Sequence, residues 1–297
     1  MRKHVLHQLV LFTLTIAILI SVYESRAQVF IGPASAALGA GGRAAVDPGE
    51  ASFLNPAAVA LIQRYHVSGF FGIGKRSDEG EFTEWGALIA DGMPDTLFPG
   101  AVSFVRRRVD LAGGGGDTQT DIQLSAAGLI GKRFAFGLSG HRLTNQLLVR
   151  DVGSEYTQYN MGLGVLFVAN ANIGLAATIQ DLLPGDSAVP DAVRLRPTYG
   201  LGLNFIYEKF FRVRLDLSRP DANNPERRIN VSAGIESVFA DMLVVRLGSF
   251  WRESADQTYV TAGLGYKGPR LSLDYSFQKD TRNADNQRHL IDLWIPL

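Results

Sequence analysis

The chain has 297 residues, balances 29 lysines and arginines against 29 aspartates and glutamates, and contains no cysteine. Balanced charge gives no electrostatic footprint for a nucleic-acid partner, and the lack of thiols excludes a disulfide framework or a thiolate metal site. Hydrophobic residues make up 46% of the chain, enough for one large domain.

Residues 1–27 read as an export signal. Arg2 and Lys3 precede an apolar run from Leu9 to Val22, and Ser25-Arg26-Ala27 offers a small-x-small cleavage site. That run is about 14 residues long, short of the ~20 a spanning helix needs, and Thr13 and Thr15 interrupt it. Beyond it no apolar stretch is long enough to cross a bilayer as a helix, so any crossing must be made by strands.

Residues 28–63 form a distinct segment, dominated by small side chains such as Gly32, Ala34, Ala36, Ala37, Gly39 and Gly41. Two short helices are signalled. Asp47 is placed to N-cap one, with Pro48 first and Glu50 three residues after the cap; Asn55 is placed to cap the next, with Pro56 first and Ala57 following. Such a segment ahead of a barrel can enter its lumen as a plug, or it can remain a tail outside.

From Tyr65 onward the apolar period is two. Phe211, Val213, Leu215 and Leu217 alternate with Arg212, Arg214, Asp216 and Ser218, and Leu271, Leu273, Tyr275 and Phe277 alternate with Arg270, Ser272, Asp274 and Ser276. Successive strand side chains leave on opposite faces, so each run has one apolar and one polar face. The pattern predicts about fourteen strands, at 65–73, 83–90, 100–107, 120–130, 134–142, 155–167, 171–181, 196–207, 209–218, 227–238, 242–252, 256–266, 269–278 and 288–297. Short turns at Gly131–Arg133, Ala169-Asn170, Glu208-Lys209, Ala240-Asp241 and Gly268-Pro269 alternate with longer polar loops at 74–82, 108–119, 143–154, 182–195, 219–226 and 279–287. Only the connection from Asp91 to Pro99 breaks the rhythm. A β-sandwich would share the side-chain alternation but has no reason to alternate loop lengths. The expected fold is therefore an all-β, antiparallel, up-and-down transmembrane barrel over residues 64–297.

Aromatic spacing points the same way. Tyr159 and Phe167 lie eight residues apart on one strand face, as do Tyr199 and Tyr207. Eight residues at ~3.3 Å, tilted about 40°, cover roughly 20 Å of membrane height. The last strand, with Ile291, Leu293, Ile295 and Leu297 on one face, resembles a barrel-insertion signal, although it ends in Leu rather than an aromatic residue.

Inward positions of the later strands carry Arg212, Arg214, Asp216, Glu236, Arg246, Arg270 and Asp274. They read first as the salt-bridged lumen wall a barrel needs, because charges facing lipid cost about 2–4 kcal/mol at the midplane; a polar conduit or a plug-gripping site is the functional alternative. No catalytic residues are expected. Ser139 and His141 share a strand face, but no third member is identifiable, and His66, His141 and His289 lie on separate strands without metal spacing. Gly113 to Gly116 is followed by no Gly-Lys-Ser/Thr and reads as a loop tip. No metal or cofactor is expected.

Ala37-Leu38-Gly39, Ala44-Ala45-Val46-Asp47 and Asn55-Pro56-Ala57 together resemble the N-terminal signature of the FadL-like long-chain fatty acid transporter superfamily, which includes PorV-like secretion-associated barrels. The resemblance covers that motif and the general architecture of the remainder. It implies a fourteen-stranded barrel with an N-terminal hatch in the outer membrane of a Gram-negative-type bacterium. Two functions follow. One is passage of small hydrophobic or amphipathic molecules past a plug contributing Phe53, Leu54, Asn55, Pro56, Ala57 and Leu61. The other is a docking or shuttle barrel for exported proteins. The extended external loops of the fatty-acid transporters are missing here. Expected partners are outer-membrane lipid and either a hydrophobic small molecule or an exported protein.

Overall fold

The structure, a computed structural model, describes residues 30–77, 80–111, 115–149, 152–191, 193–208, 210–220, 229–253 and 256–297. The expected signal peptide at 1–27 lies outside the described residues, as do Gly113 and Gly114 of the glycine loop tip.

Fourteen antiparallel strands close into one barrel. In chain order they are β1 (Tyr65–Arg76), β2 (Gly80–Asp91), β3 (Gly100–Leu111), β4 (Gly116–Ile130), β5 (Phe134–Val149), β6 (Val152–Val168) and β7 (Ile173–Gln180). The others are β8 (Thr198–Tyr207), β9 (Phe211–Pro220), β10 (Asn230–Phe239), β11 (Leu243–Arg252), β12 (Gln257–Lys267), β13 (Ser272–Asp280) and β14 (Gln287–Pro296). Each strand pairs with its sequence neighbours, and β14 closes on β1 in a register running from His66↔Pro296 to Lys75↔Gln287. Closure pairs the first strand with the last, so the sheet has no terminal edge strand, which a bilayer would not tolerate.

Burial is inverted relative to a water-soluble protein. Val102, Leu138, Val165, Leu201, Leu247 and Leu264 point outward and are exposed, whereas the inward Arg214, Arg246 and Glu236 are at most 2% exposed. A continuous apolar outer wall around a polar interior is stable only with hydrocarbon as the outer solvent. Aromatic rings frame the end that carries the short turns, where Phe134 stacks on Phe167 at 4.5 Å and Tyr207 meets Phe210 edge-on at 6.1 Å. Among the described residues no helix is long and apolar enough to span a membrane.

The wall is taller on one side than the expected spans suggested. β5 and β6 have 16 and 17 residues and pair up to Val149↔Val152, so most of the long loop expected at 143–154 is strand. The loops expected at 74–82 and 108–119 shrink in the same way. Beyond the apolar band both faces of a ribbon can be polar, so the alternation that reveals a strand fades while its backbone ladder continues. β7 has only 8 residues. It pairs with β6 from Leu163↔Ile179 to Val168↔Gly174, and the 181–197 connection meets the next part of that β6 edge, from Gln158 to Met161. There Gln158 Nε2 donates to Val193 O at 2.9 Å, and the Leu182 and Leu183 N–H groups reach Met161 O and Asn160 Oδ1.

Residues 30–63 lie inside the barrel and leave at the short-turn end to enter β1. Two helices, α1 (Pro33–Ala37) and α2 (Ala51–Leu54), precede a 3₁₀ turn at Pro56–Leu61. Asn55 caps that turn through its side chain, which accepts from the Ala57 N–H at 3.0 Å. The cap expected at Asp47 is not formed. The Asp47 carboxylate pairs with Arg214 across the lumen, the chain turns through Glu50 N–H to Asp47 O at 3.1 Å, and α2 begins only at Ala51. An ion pair away from water outweighs one capping hydrogen bond. α1 was not anticipated, because its small apolar residues carry no cap and no amphipathic period.

Candidate functional site

The inner wall meets the N-terminal segment through glycines, uncharged polar side chains, charges and an apolar cluster that includes Phe70, Leu88, Val105 and Leu166. At Gly164 a Cβ would come within 2.0 Å of Asn55 Oδ1, and at Gly137 within 2.3 Å of the Ala57 nitrogen. Both wall positions must therefore lack a side chain for Asn55-Pro56-Ala57 to sit where it does. Gly39 has φ +68° and a virtual Cβ 2.3 Å from Ser249 O, so its conformation and its contact both demand glycine. Asn55 is fully buried and also donates to Arg43 O at 2.9 Å and Val165 O at 3.3 Å, tying two parts of the segment to β6.

Polar wall residues hold the segment by its backbone. Thr261 donates to Ala37 O at 2.8 Å and accepts from Gly39 N–H at 3.0 Å, and Gln278 donates to Ala36 O at 3.0 Å. On the opposite wall Gln123 and Gln180 donate to Ser52 O and Phe53 O at 2.6 and 2.7 Å.

The expected lumen charges come together, with one exception. Asp216 accepts through one oxygen from the Gly42 and Arg43 N–H groups and from Arg43 Nη1, at 3.0, 3.1 and 3.0 Å. Arg214 pairs with Asp47. Glu236 accepts from Arg246 Nε at 2.7 Å and Arg212 Nη1 at 3.0 Å, and Arg246 also pairs with Asp274. Arg270 does not belong. β13 starts at Ser272, so Arg270 lies in the preceding turn and is exposed. Its place is taken by Lys267, whose Nζ is 3.7 Å from Glu236.

Two segment carboxyls differ in their environment. Burial alone would raise Asp47, but Arg214 beside it holds it well below the usual carboxylate range. Burial and the neighbouring Asp47 charge push Glu50 up to about 7, although the Ser35 N–H donates to it at 2.9 Å.

Between the segment and the taller wall lies a cavity of about 90 Å³, with Phe30, Phe53 and Pro56 on the segment side. Phe30 stacks on Phe70 at 4.0 Å and meets Phe53 edge-on at 4.8 Å. The wall side adds Val105, Leu143 and Leu195 together with ion-paired groups. Arg288 donates to Glu84 at 2.6 Å, and His141 lies between Asp121 at 3.0 Å and Asp181 at 2.8 Å. Both imidazole nitrogens are thus engaged by carboxylates, and Ser139, also on the lining, has no base directed at it. Leu61 does not reach this cavity. It lines a separate recess at the short-turn end with Leu166, Val168 and Arg212, while Leu54 packs inward near Gly42.

Sequence reasoning concentrated on the charges of the later strands. It missed Arg43, Glu84, Asp121, Asp181, Lys267 and Arg288, and the glutamines that bind the segment. Asp121 and Arg288 occupy the polar parity of their strands, so extending the alternation to β4 and β14 would have found them, whereas Glu84 shares its inward face with Phe82, Leu88 and Ala90 and parity does not mark it. No local signal marks Asp181, which follows β7, or Phe30, whose neighbours are distant in sequence.

These features define a membrane-type barrel whose lumen is filled by its own N-terminal segment. No family model and no curated protein sequence matches the chain. Solved structures do. The monoaromatic hydrocarbon channel CymD is 13% identical, with a TM-score of 0.73 over 91% of this chain and 98% of that one. The Ralstonia pickettii toluene transporter TbuX is 14% identical, with a TM-score of 0.66 over 90% and 97%. A Pseudomonas aeruginosa FadL homologue is 11% identical, with a TM-score of 0.64 over 89% and 98%. The chain therefore shares the fold of these barrels through nearly its whole length.

Proposed function

We propose that the protein is a FadL-like outer-membrane transporter that passes small hydrophobic or amphipathic molecules, with residues 28–63 acting as its plug and residues 1–27 as a removable signal peptide. The short-turn end faces the periplasm and the tall β4–β6 side rises outside. The observation that carries this reading is the cavity between the plug's Phe30, Phe53 and Pro56 and a wall that mixes Val105, Leu143 and Leu195 with ion-paired groups, a partly apolar space between plug and barrel that a small hydrophobic or amphipathic guest could enter. Its ion-paired groups compensate one another, so it favours a neutral guest over an ion. About 90 Å³ admits several waters but no bulky guest, so passage in this reading requires Phe30 and Phe53 to move. The reading is supported by two barrels of the same fold whose names denote a hydrocarbon channel and a toluene transporter, and by a third named as a FadL homologue. Nothing in the cavity speaks specifically for a PorV-like docking barrel.

The test is uptake of labelled toluene and long-chain fatty acid by liposomes carrying the mature protein, compared with Phe53→Ala and with a variant lacking residues 28–63. Saturable uptake should be altered in selectivity by Phe53→Ala and become unselective in the deletion. A folded, heat-modifiable barrel that takes up neither probe overturns the transport reading and returns the docking reading to first place.

A further inference from the structure

The outer wall is not uniform. Across β6–β9 there is an apolar trough of about 600 Å³ on the lipid-facing surface. The register explains it. One outward row runs Val165, Ala177, Leu201, Leu217, and the row nearer the loops runs Leu163, Ile179, Tyr199, Arg219. Ala177 is the only member of the first row with a single side-chain carbon, so the surface sinks there between the branched Val165 and Leu201. Tyr199 and Arg219 are direct cross-strand partners and close the loop end of the trough, with Ile229 beyond them. All the flanking side chains are apolar up to that tyrosine–arginine pair.

Arg219 stands on the outward parity of β9, one residue before the strand ends at Pro220, at a height where a cation on a barrel's lipid face costs only about 0–1 kcal/mol. Two other outward arginines lie in the loop-end halves of their strands with an aromatic cross-strand partner, Arg106 opposite Trp85 and Arg142 opposite Tyr159. Three arginine–aromatic pairs on this surface match a leaflet with anionic headgroups, the aromatic ring lying at headgroup depth and the guanidinium reaching phosphate. The Tyr199–Arg219 pair sits at the end of the β6–β9 trough.

We infer that the β6–β9 trough is a lipid-binding site that holds one acyl chain of an anionic phospholipid-type amphiphile from the loop-side leaflet, with Arg219 and Tyr199 receiving its headgroup. The site is continuous with the apolar wall that already faces hydrocarbon, and its cation selects the headgroup sign. A lipid seated over Ala177 lies against the wall layer whose inner face, at Gly164 and Gly200, carries Asn55 and Arg43 of the N-terminal segment. The leaflet can thus press on the part of the barrel that grips that segment.

The mature protein, purified in mild detergent, is mixed with palmitoyl-oleoyl phosphatidylglycerol or with the phosphatidylcholine of the same chains, and retained lipid is counted by native mass spectrometry. The wild type should keep one phosphatidylglycerol with about fivefold preference over phosphatidylcholine, the factor expected from one basic residue at an anionic surface. Arg219→Ala should remove the preference, and Ala177→Phe should abolish retention of both lipids. Arg142→Ala, in the same leaflet without a trough, should change nothing. Ala262→Phe makes the same substitution on the outward face of β12 and should also leave retention intact. Heat-modifiable migration checks that each barrel is folded, and Ala177→Leu replaces Ala177→Phe if the larger side chain blocks assembly. Equal retention of the two lipids by the wild type overturns the inference. So does retention that survives filling of the trough, or a retained lipid displaced by toluene, which would make the trough a solute site.

Discussion

Replacing Asp216 by alanine should free the N-terminal segment from the wall while leaving the barrel closed. One oxygen of Asp216 accepts three hydrogen bonds from the segment, all at 3.0–3.1 Å, and two of them come from the backbone N–H groups of Gly42 and Arg43. The variant also strands the Arg43 guanidinium, 7% exposed and packed against Gly200 and Gly202. Removing one partner of a buried ion pair costs about 3–5 kcal/mol, mainly because the other charge is left uncompensated. At ~1.4 kcal/mol per decade, that lowers the docked-to-released ratio by roughly two to three and a half orders of magnitude. The readouts are tryptic cleavage after Arg43 in detergent-solubilised protein and single-channel conductance in planar bilayers, with heat-modifiable migration reporting barrel integrity. Cleavage should accelerate and conductance should appear. Asp216→Asn, which keeps the shape and loses the charge, should fall between. Arg43→Met combined with Asp216→Ala should be less damaging than Asp216→Ala alone, since no buried charge then lacks a partner. An intact barrel of Asp216→Ala with wild-type proteolysis and conductance would refute the assignment of Asp216 as the clamp.

Two other outcomes follow from the same contacts. Gly164→Val should displace Asn55 and open Arg43 to trypsin, because even a Cβ there would stand 2.0 Å from Asn55 Oδ1; Gly140→Ala, with nothing within 4 Å, should be silent in the same assay. Segment docking should also weaken as pH rises from about 4.5 to about 7, because docked Glu50 retains a proton that the released carboxyl, with its ordinary value of 4.5, gives up. Its contribution is complete below the lower value and lost above the upper. Conductance of the wild type should therefore increase between pH 5 and pH 8, and Glu50→Gln should flatten that dependence; an unchanged slope in Glu50→Gln sinks the explanation.

Strand number, pairing order and facing were legible in the sequence because a strand in a lipid-facing barrel wall obeys a local rule. Every second residue meets hydrocarbon, so Leu215 and Leu217 had to point outward and Arg214 and Asp216 inward whatever else the chain did. The Asn55 cap was equally local, its side chain bonding a backbone N–H two residues on. Where both faces mixed polar and apolar residues, as along the upper parts of β5 and β6, that rule vanished and strand was read as loop. Arg270 shared the inward parity of Asp274, but parity places a side chain only within a strand, and β13 had not yet begun. What the tertiary structure alone decided was who meets whom across the lumen. Asp47 could be read as a cap until Arg214, 167 residues away, claimed its carboxylate. Phe30 and Phe53 became the floor of a cavity only once β4, β5 and the 181–197 connection stood opposite them. Contacts between a buried segment and a closed wall depend on barrel circumference, tilt and register together, and no window of neighbouring residues contains those quantities.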